Sequence, residues 1–204
     1  VLWTGSDFQA RNDWTIRGDL YATGDIGTLV GSGGDPIYGD AFTDAAITGL
    51  DTEGQAYPSV AERPVAWPFG TDSAADVVDG FLSNCTISNV ASDVLASDLG
   101  PSDPARVFYC NGNLFIDSNV TVTGMLLVDG NLTIGGSRIT INAAQGFPAI
   151  YVTGHLMFRG AFNVQVNGLA VVQGKVLVGA DTTNLQIVGG LFTADEIVET
   201  ATDT

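Results

Sequence analysis

The chain has 204 residues, of which 45% are hydrophobic, so it is long enough to bury a core of its own. Its 23 acidic and 7 basic residues give a formal charge of −16, which argues against nucleic acid and anionic membranes as partners. The sequence contains no run of 18 apolar residues, so no transmembrane helix is predicted. The first residues do not form an intact signal peptide, which leaves a cleaved one open.

The first half of the chain is predicted to form weak coils. Residues 14–49 contain short apolar runs separated by Gly-Asp and Thr-Gly pairs, as in DLYATGDIGTLVG. Three acids in GGDPIYGDAFTD are candidate ligands for a structural Ca²⁺ ion, but they lack EF-hand spacing, and solvated loop acids are the commoner outcome. These acids are Asp35, Asp40 and Asp44.

A crossover and helical cover are predicted next. Residues 51–70 are rich in proline, which disfavours helix and central strand. Asp72 and Ser73 are N-cap candidates for a helix over residues 73–83, and a second short helix is predicted over residues 90–99. The first helix carries an apolar stripe made of Val77, Val78, Phe81 and Leu82.

Residues 107–194 contain a repeat whose steps run from 18 to 24 residues. Short apolar runs recur in three columns, for example VFYC, NLFI and NVTVT, separated by corners such as NG, DG and GG. Glycine turns corners because it adopts positive φ without steric cost. A chain that turns three corners per coil stacks into a right-handed parallel three-sided β-helix, an all-β solenoid.

Alternation fixes the predicted interior of this solenoid. In the third column, alternate residues of the strand are aliphatic in four successive coils, and the residues between them are polar. A shift of the strand by one residue would therefore expose every one of these aliphatic side chains. The inward pairs are Val120/Val122, Ile139/Ile141, Val164/Val166 and Leu185/Ile187, and the outward residues are Thr121, Thr140, Gln165 and Gln186.

The first column is apolar on both sides, which is typical of a strand covered on both faces. Its outward residues are therefore predicted to lie under a cover or to form an association face. The cover is either the chain's own first half, which we favour, or another molecule. These residues are Tyr109, Leu127, Tyr151 and Val171.

Cysteine and histidine chemistry is sparse. Cys85 and Cys110 are the only cysteines, and in a secreted chain we expect them to form a disulfide that fixes the cover to the first regular coil. His155 is the only histidine, so a histidine-based metal site or catalytic triad is disfavoured and a surface position is expected. Asn84, Asn119 and Asn131 begin glycosylation sequons that matter only in a glycosylating host.

No catalytic residue is predicted. A polysaccharide enzyme would need several carboxylates on one face, and the outward columns carry Asn, Thr, Gln and Met instead. Ice binding would need a longer threonine array than Thr121 and Thr140, after which glutamine takes over. We therefore expect no enzyme, no cofactor other than a possible structural Ca²⁺, and a polar solvated third face.

The string GNLFIDSNVTVTGMLLVDGNLTIGGSRITIN, followed by GFPAIYVTGHL and NGLAVVQG, resembles the β-helical ectodomain of type IV pilus-associated, minor-pilin-like proteins. It is similar more loosely to bactofilin-type polymer-forming proteins. The resemblance covers residues 14–198, although the apolar N-terminal helix of a pilin is absent. It implies a structural role in a surface filament, without catalysis.

The combined prediction is a single structural domain over residues 1–204, with irregular coils, crossover and covering helices in 1–106 and the regular β-helix in 107–198. The expected function is that of an extracellular or cell-surface structural protein, a subunit or tip component of a pilus-like filament that associates with itself or with other pilin subunits. A glycan- or surface-binding adhesin module is the alternative, and a polysaccharide-active enzyme ranks third.

Overall fold

Parallel strands build the molecule, as the computed structural model shows for residues 1–10, 16–28, 37–49, 54–60, 67–100, 106–117 and 119–200. Every strand pair described is parallel, and the strands stack into a β-solenoid with three faces. One α-helix lies in the described part of the chain. The predicted fold class, a parallel β-helix with a helix over one face, is therefore confirmed.

The elements are short and follow each other closely. Before the helix, the strands are β1 Leu2–Thr4, β2 Phe8–Ala10, β3 Leu20–Ala22, β4 Ile26–Thr28, β5 Ala41–Thr43, β6 Ile47–Thr48 and β7 Ala56–Tyr57. The helix α1 spans Ala74–Asn84. After it come β8 Thr86–Asn89, β9 Val94–Leu95, β10 Arg106–Asn111, β11 Leu114–Ile116, β12 Thr121–Thr123, β13 Met125–Asp129, β14 Leu132–Ile134, β15 Ser137–Asn142, β16 Ile150–Val152, β17 Leu156–Phe158, β18 Phe162–Val172, β19 Val176–Gly179, β20 Thr183–Thr193 and β21 Ile197–Thr200.

The coils do not stack in chain order. On the first face the order is β7-β5-β3-β1-β20-β18-β16-β13-β10-β8, and on the second it is β6-β4-β2-β21-β19-β17-β14-β11-β9. The first strand of the chain thus pairs with β20 near its end, with Leu2 opposite Leu191. The N-terminal coils extend the solenoid beyond the last C-terminal coil, and the segment after β7 brings the chain back to β8 at the opposite end.

The third face differs in its last two coils, where the strand continues into the first face. Both β18 and β20 are 11 residues long and bend at a glycine, Gly168 (φ 131°) and Gly189 (φ 136°). A Cβ on Gly189 would lie 2.4 Å from the carbonyl oxygen of Gly168, so no side chain fits at this corner. The stacked corners explain the glycines of the repeat.

Aliphatic side chains fill the interior, as the alternation predicted. Val122, Ile141 and Val166 are each fully buried and lie in register on neighbouring strands. The partner pair at the end of this column, Leu185 and Ile187, is only half-buried. The stack of buried side chains continues through the N-terminal coils, with Phe8, Leu20, Ile26, Ile37 and Ala41.

The helix prediction is confirmed in one place and wrong in another. Ser73 caps α1: its hydroxyl accepts the Asp76 N–H, and its own N–H donates to the Asp76 carboxylate at 3.2 Å. The second helix, predicted over residues 90–99, is replaced by a coil of the solenoid. Val94 and Leu95 pair with Phe115 and Ile116 because the Ser and Asp pairs around them form corners instead of helical turns.

Candidate functional site: the roofed face, the corners and the two ends

The first face is covered by the chain itself. The segment after Trp67 runs along this face, and the stripe of α1 packs on the outward side chains of the strands. Leu127, Tyr151 and Val171 are fully buried there, and Tyr109 is half-buried. Own-chain cover, the favoured alternative, is what the structure has, so these four residues present no open association face.

Aromatic contacts hold this cover along much of its length. The ring of Trp67 lies 5.3 Å from that of Trp3, while Phe69 meets Tyr151 edge-on at 5.2 Å. Phe81 of α1 contacts the Tyr151 ring at 6.4 Å between centroids. The cover therefore bridges the N-terminal coil of Trp3 and the regular coils, which ties together two parts of the solenoid that are far apart in sequence.

Burial under the cover also changes tyrosine ionisation. It raises the pKa of the Tyr151 hydroxyl, an effect that the hydrogen bond from the Gln173 side chain, 2.8 Å, partly opposes. Burial likewise raises the pKa of Tyr109, with a smaller contribution from the charge of Asp129. These phenols act as buried packing groups.

The predicted disulfide is wrong. Both cysteines are free thiols: Cys85 is half-buried beside the cover, whereas Cys110 is fully buried in the interior of the solenoid. Cys85 immediately precedes β8. Because Tyr109 pairs with Asn89, the next residue, Cys110, is level with Val90, which is five residues beyond Cys85. That offset of about five residues along the strands corresponds to about 16 Å, far beyond the Cα separation a disulfide allows. Burial raises the pKa of the Cys110 thiol.

Polar side chains at the corner before the second face form a ladder. Asn113 Oδ1 accepts the N–H of Asn131 at 2.9 Å, and Asn131 Oδ1 accepts the N–H of His155 at 2.8 Å. His155 continues this ladder, because its Nδ1 accepts the N–H of Lys175 at 2.8 Å. His155 is thus half-buried and structural, which corrects the expectation of a plain surface residue.

Two of the three Ca²⁺ candidates, Asp40 and Asp44, lie among the described residues. Asp35 lies outside the described residues, and Asp44 is exposed. Asp40 caps the backbone of a neighbouring coil, since its Oδ1 accepts the N–H of Gln55 at 2.9 Å. Within the described ranges, no group of three or more His, Cys, Asp or Glu side chains comes together as a metal site would require.

A buried threonine at the corner after the first face is a structural feature that sequence reasoning missed. Thr193 donates its hydroxyl to the Gly174 carbonyl of the neighbouring coil, and Thr43 donates to the Gly24 carbonyl. Thr4 does the same to the Asp195 carbonyl at 2.6 Å. The recurring Thr-Gly, Thr-Asp and Thr-Ala pairs were a usable signal, because a buried hydroxyl needs a partner.

The outward column of the third face has the predicted register. Thr121, Thr140, Gln165 and Gln186 lie side by side on β12, β15, β18 and β20. The neighbouring column has a conformational role: its residues adopt left-handed φ values between 50° and 58°, which asparagine tolerates better than most residues. They are Asn119, Arg138, Asn163 and Asn184.

The two ends expose the last strands of both sheets. Within the part of the chain that the structure describes, β8 and β9 at one end and β7 and β6 at the other each pair along one edge only. Val94 on β9 is 51% exposed and Tyr57 on β7 is 36% exposed. Tyr57 ends a stack in which its ring lies 4.7 Å from that of Phe42, itself 4.8 Å from Tyr21.

Comparisons with known proteins identify no family for the chain. It matches no family model, no curated protein and no solved structure. Among the described residues no helix is long and apolar enough to cross a membrane.

Proposed function

We propose that the chain is an extracellular or cell-surface structural protein, a subunit or minor tip component of a pilus-like filament that associates with itself or with other filament subunits. The observation that carries this proposal is the pair of solenoid ends. At each end both sheets finish in a strand that pairs along one edge only within the described residues. Unpaired parallel edges are templates for a further strand.

Association would act through the ends, because the outward side chains of the first face are under the cover. The interior of fully buried aliphatic side chains makes each unit stiff along the stacking direction. The charge of −16 opposes association between like units. We therefore expect end-to-end association to strengthen as salt screens this repulsion.

Sedimentation velocity and negative-stain electron microscopy test this proposal. Between about 10 µM and about 1 mM protein, the mean particle mass is expected to rise, more strongly at high salt, and the particles are expected to lengthen into rods. A chain that stays monomeric across this range and shows no rods contradicts self-association. Binding to isolated filament subunits then tests the remaining form of the proposal.

Proline substitutions at the ends provide matched variants. Val90 donates its N–H to Tyr109 on β10 at 2.7 Å, so by alternation the N–H of Asn89 points away from β10. Asn89→Pro should remove a donor from the free edge with little loss of internal pairing, and should weaken association. Thr140→Pro, which deletes an internal bond to Val120 of 2.9 Å, serves as the destabilised control.

A glycan- or surface-binding role is the second candidate, and the aromatic stack ending at Tyr57 favours it. An exposed ring at the end of a rigid stack presents a flat apolar surface beside a polar hydroxyl. Screening on an array of polysaccharides tests this role. Binding that Tyr57→Ala abolishes, with the thermal midpoint unchanged, would place this function first.

A further inference from the structure

The second face carries an outward column of apolar side chains along six neighbouring strands. These strands are β9, β11, β14, β17, β19 and β21, and each contributes one outward residue in register with the next. Val94 is 51% exposed and Phe115 is 37% exposed, while the other members are half-buried. This apolar stripe consists of Val94, Phe115, Thr133, Met157, Leu177 and Val198, of which only the threonine is polar.

The stripe ends where the N-terminal coils begin. Gln9 is level with Val198, because the residues that precede them pair with each other. Gly27 and Thr48 continue this column on β4 and β6. The apolar part of the second face is therefore a patch of limited length, bounded by polar and small residues.

The first face shows how the molecule buries a similar outward column. There the apolar residues lie under α1 and the segment after Trp67. The one described helix is used on that face, so among the described residues the second face has no cover of this kind. A contiguous row of apolar side chains at the surface points to an interaction site.

Glycine keeps the face flat beside Phe115. A Cβ on Gly135 would lie 2.7 Å from the Phe115 ring, so the ring extends across this glycine and buries it. Arg159 occupies the same position on the next strand and is exposed, and Gly179 follows it. The face therefore has a flat aromatic step next to a projecting guanidinium.

The charges beside the stripe are balanced, unlike those of the whole chain. The bordering columns are the residues two positions before and two positions after each member of the stripe. Their charged residues are two acids and two bases, Asp117, Glu196, Arg159 and Lys175, whereas the chain has 23 acids and 7 bases. Two copies can therefore meet on this face with little of the repulsion that a charge of −16 imposes elsewhere.

From these observations we propose that the stripe is a two-fold interface between two copies of this chain, packed face to face with their solenoid axes antiparallel. The symmetry axis runs along the strands, between β14 and β17. Phe115 then lies opposite Leu177 of the second copy, and Val94 lies opposite Val198 of the second copy. Each end of the stripe thus meets the other end, as a self-complementary patch requires.

The same symmetry places Arg159 of the second copy opposite Gly135, over which the Phe115 ring extends. A guanidinium on an aromatic ring is attractive, and the two-fold axis forms this contact twice. Copies with parallel axes would instead place Arg159 opposite His155 of the second copy, away from Phe115. The contact between arginine and phenylalanine therefore favours the antiparallel arrangement.

The area of the face predicts a weak dimer. Six strands, each about five residues wide when the borders are included, give about 460 Å² per copy and about 900 Å² in total. Stable interfaces bury at least about 1,200 Å², so we expect a Kd between about 0.1 and 1 mM. This contact is on the side of the solenoid, and neither it nor end-to-end association requires the other.

Spin labels at Ala96 test the arrangement, because Ala96 is exposed beside one end of the stripe. The labelled chain carries Ala96→Cys, Cys85→Ser and Cys110→Ala. In the antiparallel dimer, five strand spacings and a sheet separation of about 10 Å place the two labels about 26 Å apart. Double electron–electron resonance at about 0.5 mM protein should show this distance. End-to-end stacking would give about 43 Å, because each copy has nine strands on this face.

A charge exchange tests the register, with the fraction of labels at 26 Å as the measure of dimer. Phe115→Lys and Leu177→Glu should each raise the Kd about tenfold or more. The chain with both changes should return to within about threefold of the original, because the introduced charges meet across the interface. Within one copy these positions are three strands, about 14 Å, apart. Phe115→Leu is the matched apolar control and should dimerise within about threefold of the original.

Three results would overturn the proposal: no distance near 26 Å up to about 1 mM protein, an unchanged dimer in Phe115→Lys, or no recovery in the doubly changed chain. A fourth is a thermal midpoint of Phe115→Lys that falls by more than about 4 °C at about 10 µM, where the chain is monomeric. That fall would mean that the chain's own residues cover the stripe. A distance of about 43 Å alone would support end-to-end association and contradict this interface, whereas 26 Å alone would do the reverse.

Discussion

The coils of residues 106–200 and those of residues 1–60 solve the same packing problem with different sequences. The first group uses strands of up to 11 residues, and its interior aliphatic residues are fully buried except at the last coil, where Leu185 and Ile187 are half-buried. The described strands of the second group are two or three residues long and include glycine at Gly27 and small side chains at Ala41. Both groups nevertheless share the buried corner threonine, seen at Thr43 and Thr193.

This difference suggests that a weakly patterned coil needs a template. β1 pairs along its whole length with β20, so the first N-terminal coil is laid on the end of a regular array. Each later coil then pairs with the one before it, as β3 does with β1. The cover adds a second attachment, because Trp67 packs on Trp3. We infer that the regular coils supply most of the stability and that the N-terminal coils depend on them.

The largest expected effect on stability comes from a substitution that creates a cavity in the interior of the regular coils. Ile141→Ala should lower the free energy of unfolding by about 2–5 kcal/mol, because Ile141 is fully buried between Val122 and Val166. Ile47→Ala, in the N-terminal coils, should cost about 1 kcal/mol or less, because Ile47 is half-buried on a two-residue strand. Urea unfolding measures both. Equal losses would mean that the two regions contribute alike.

Alkaline pH should have the next largest effect. Burial raises the pKa of Tyr151 in the folded state, and burial together with the Asp19 carboxylate raises that of Tyr21. A group whose pKa is raised by folding contributes stability below its unfolded pKa, so stability should fall as pH rises above about 10. Denaturant unfolding at increasing pH measures this decline. Tyr151→Phe should make it shallower, and an unchanged slope in that variant would contradict the assignment.

The smallest effect is expected at His155. His155→Asn should change stability by no more than about 0.5 kcal/mol, because asparagine already occupies the equivalent corner at Asn131 and accepts the same kind of backbone N–H. His155→Ala leaves the Lys175 N–H without this acceptor and should cost about 1 kcal/mol. Thermal unfolding compares the two variants. Identical midpoints would mean that the ladder contributes nothing at this corner.

Short sequence patterns predicted the features that depend on residues close together in the chain. Alternation assigned the interior column through Val122 and Ile141, and a cap with an apolar stripe assigned α1. The helix over residues 90–99 failed because its apolar residues, such as Val94 and Leu95, fit a coil equally well, and only the neighbouring strand decides between the two. Short apolar runs do not distinguish helix from strand by period alone.

The stacking order could not be predicted from the sequence. Each coil carries the same inward pattern, so nothing local indicates whether β1 should pair near β8 or at the far end beside β20. The cysteine error has the same cause: Cys85 and Cys110 were expected to pair because they are the only two cysteines, one after the covering helix and one in the first regular coil, but strand register separates them.

The order of the coils is best tested by a distance between Thr48 on β6 and Val94 on β9, both exposed side chains on the second face. Spin labels at these positions, in a chain with Cys85→Ser and Cys110→Ala, can be measured by double electron–electron resonance. Because β6 and β9 end opposite sides of a nine-stranded sheet, a separation of about 38 Å is expected. Coils stacked in chain order would bring the two strands within about 10 Å, and that result would contradict the account.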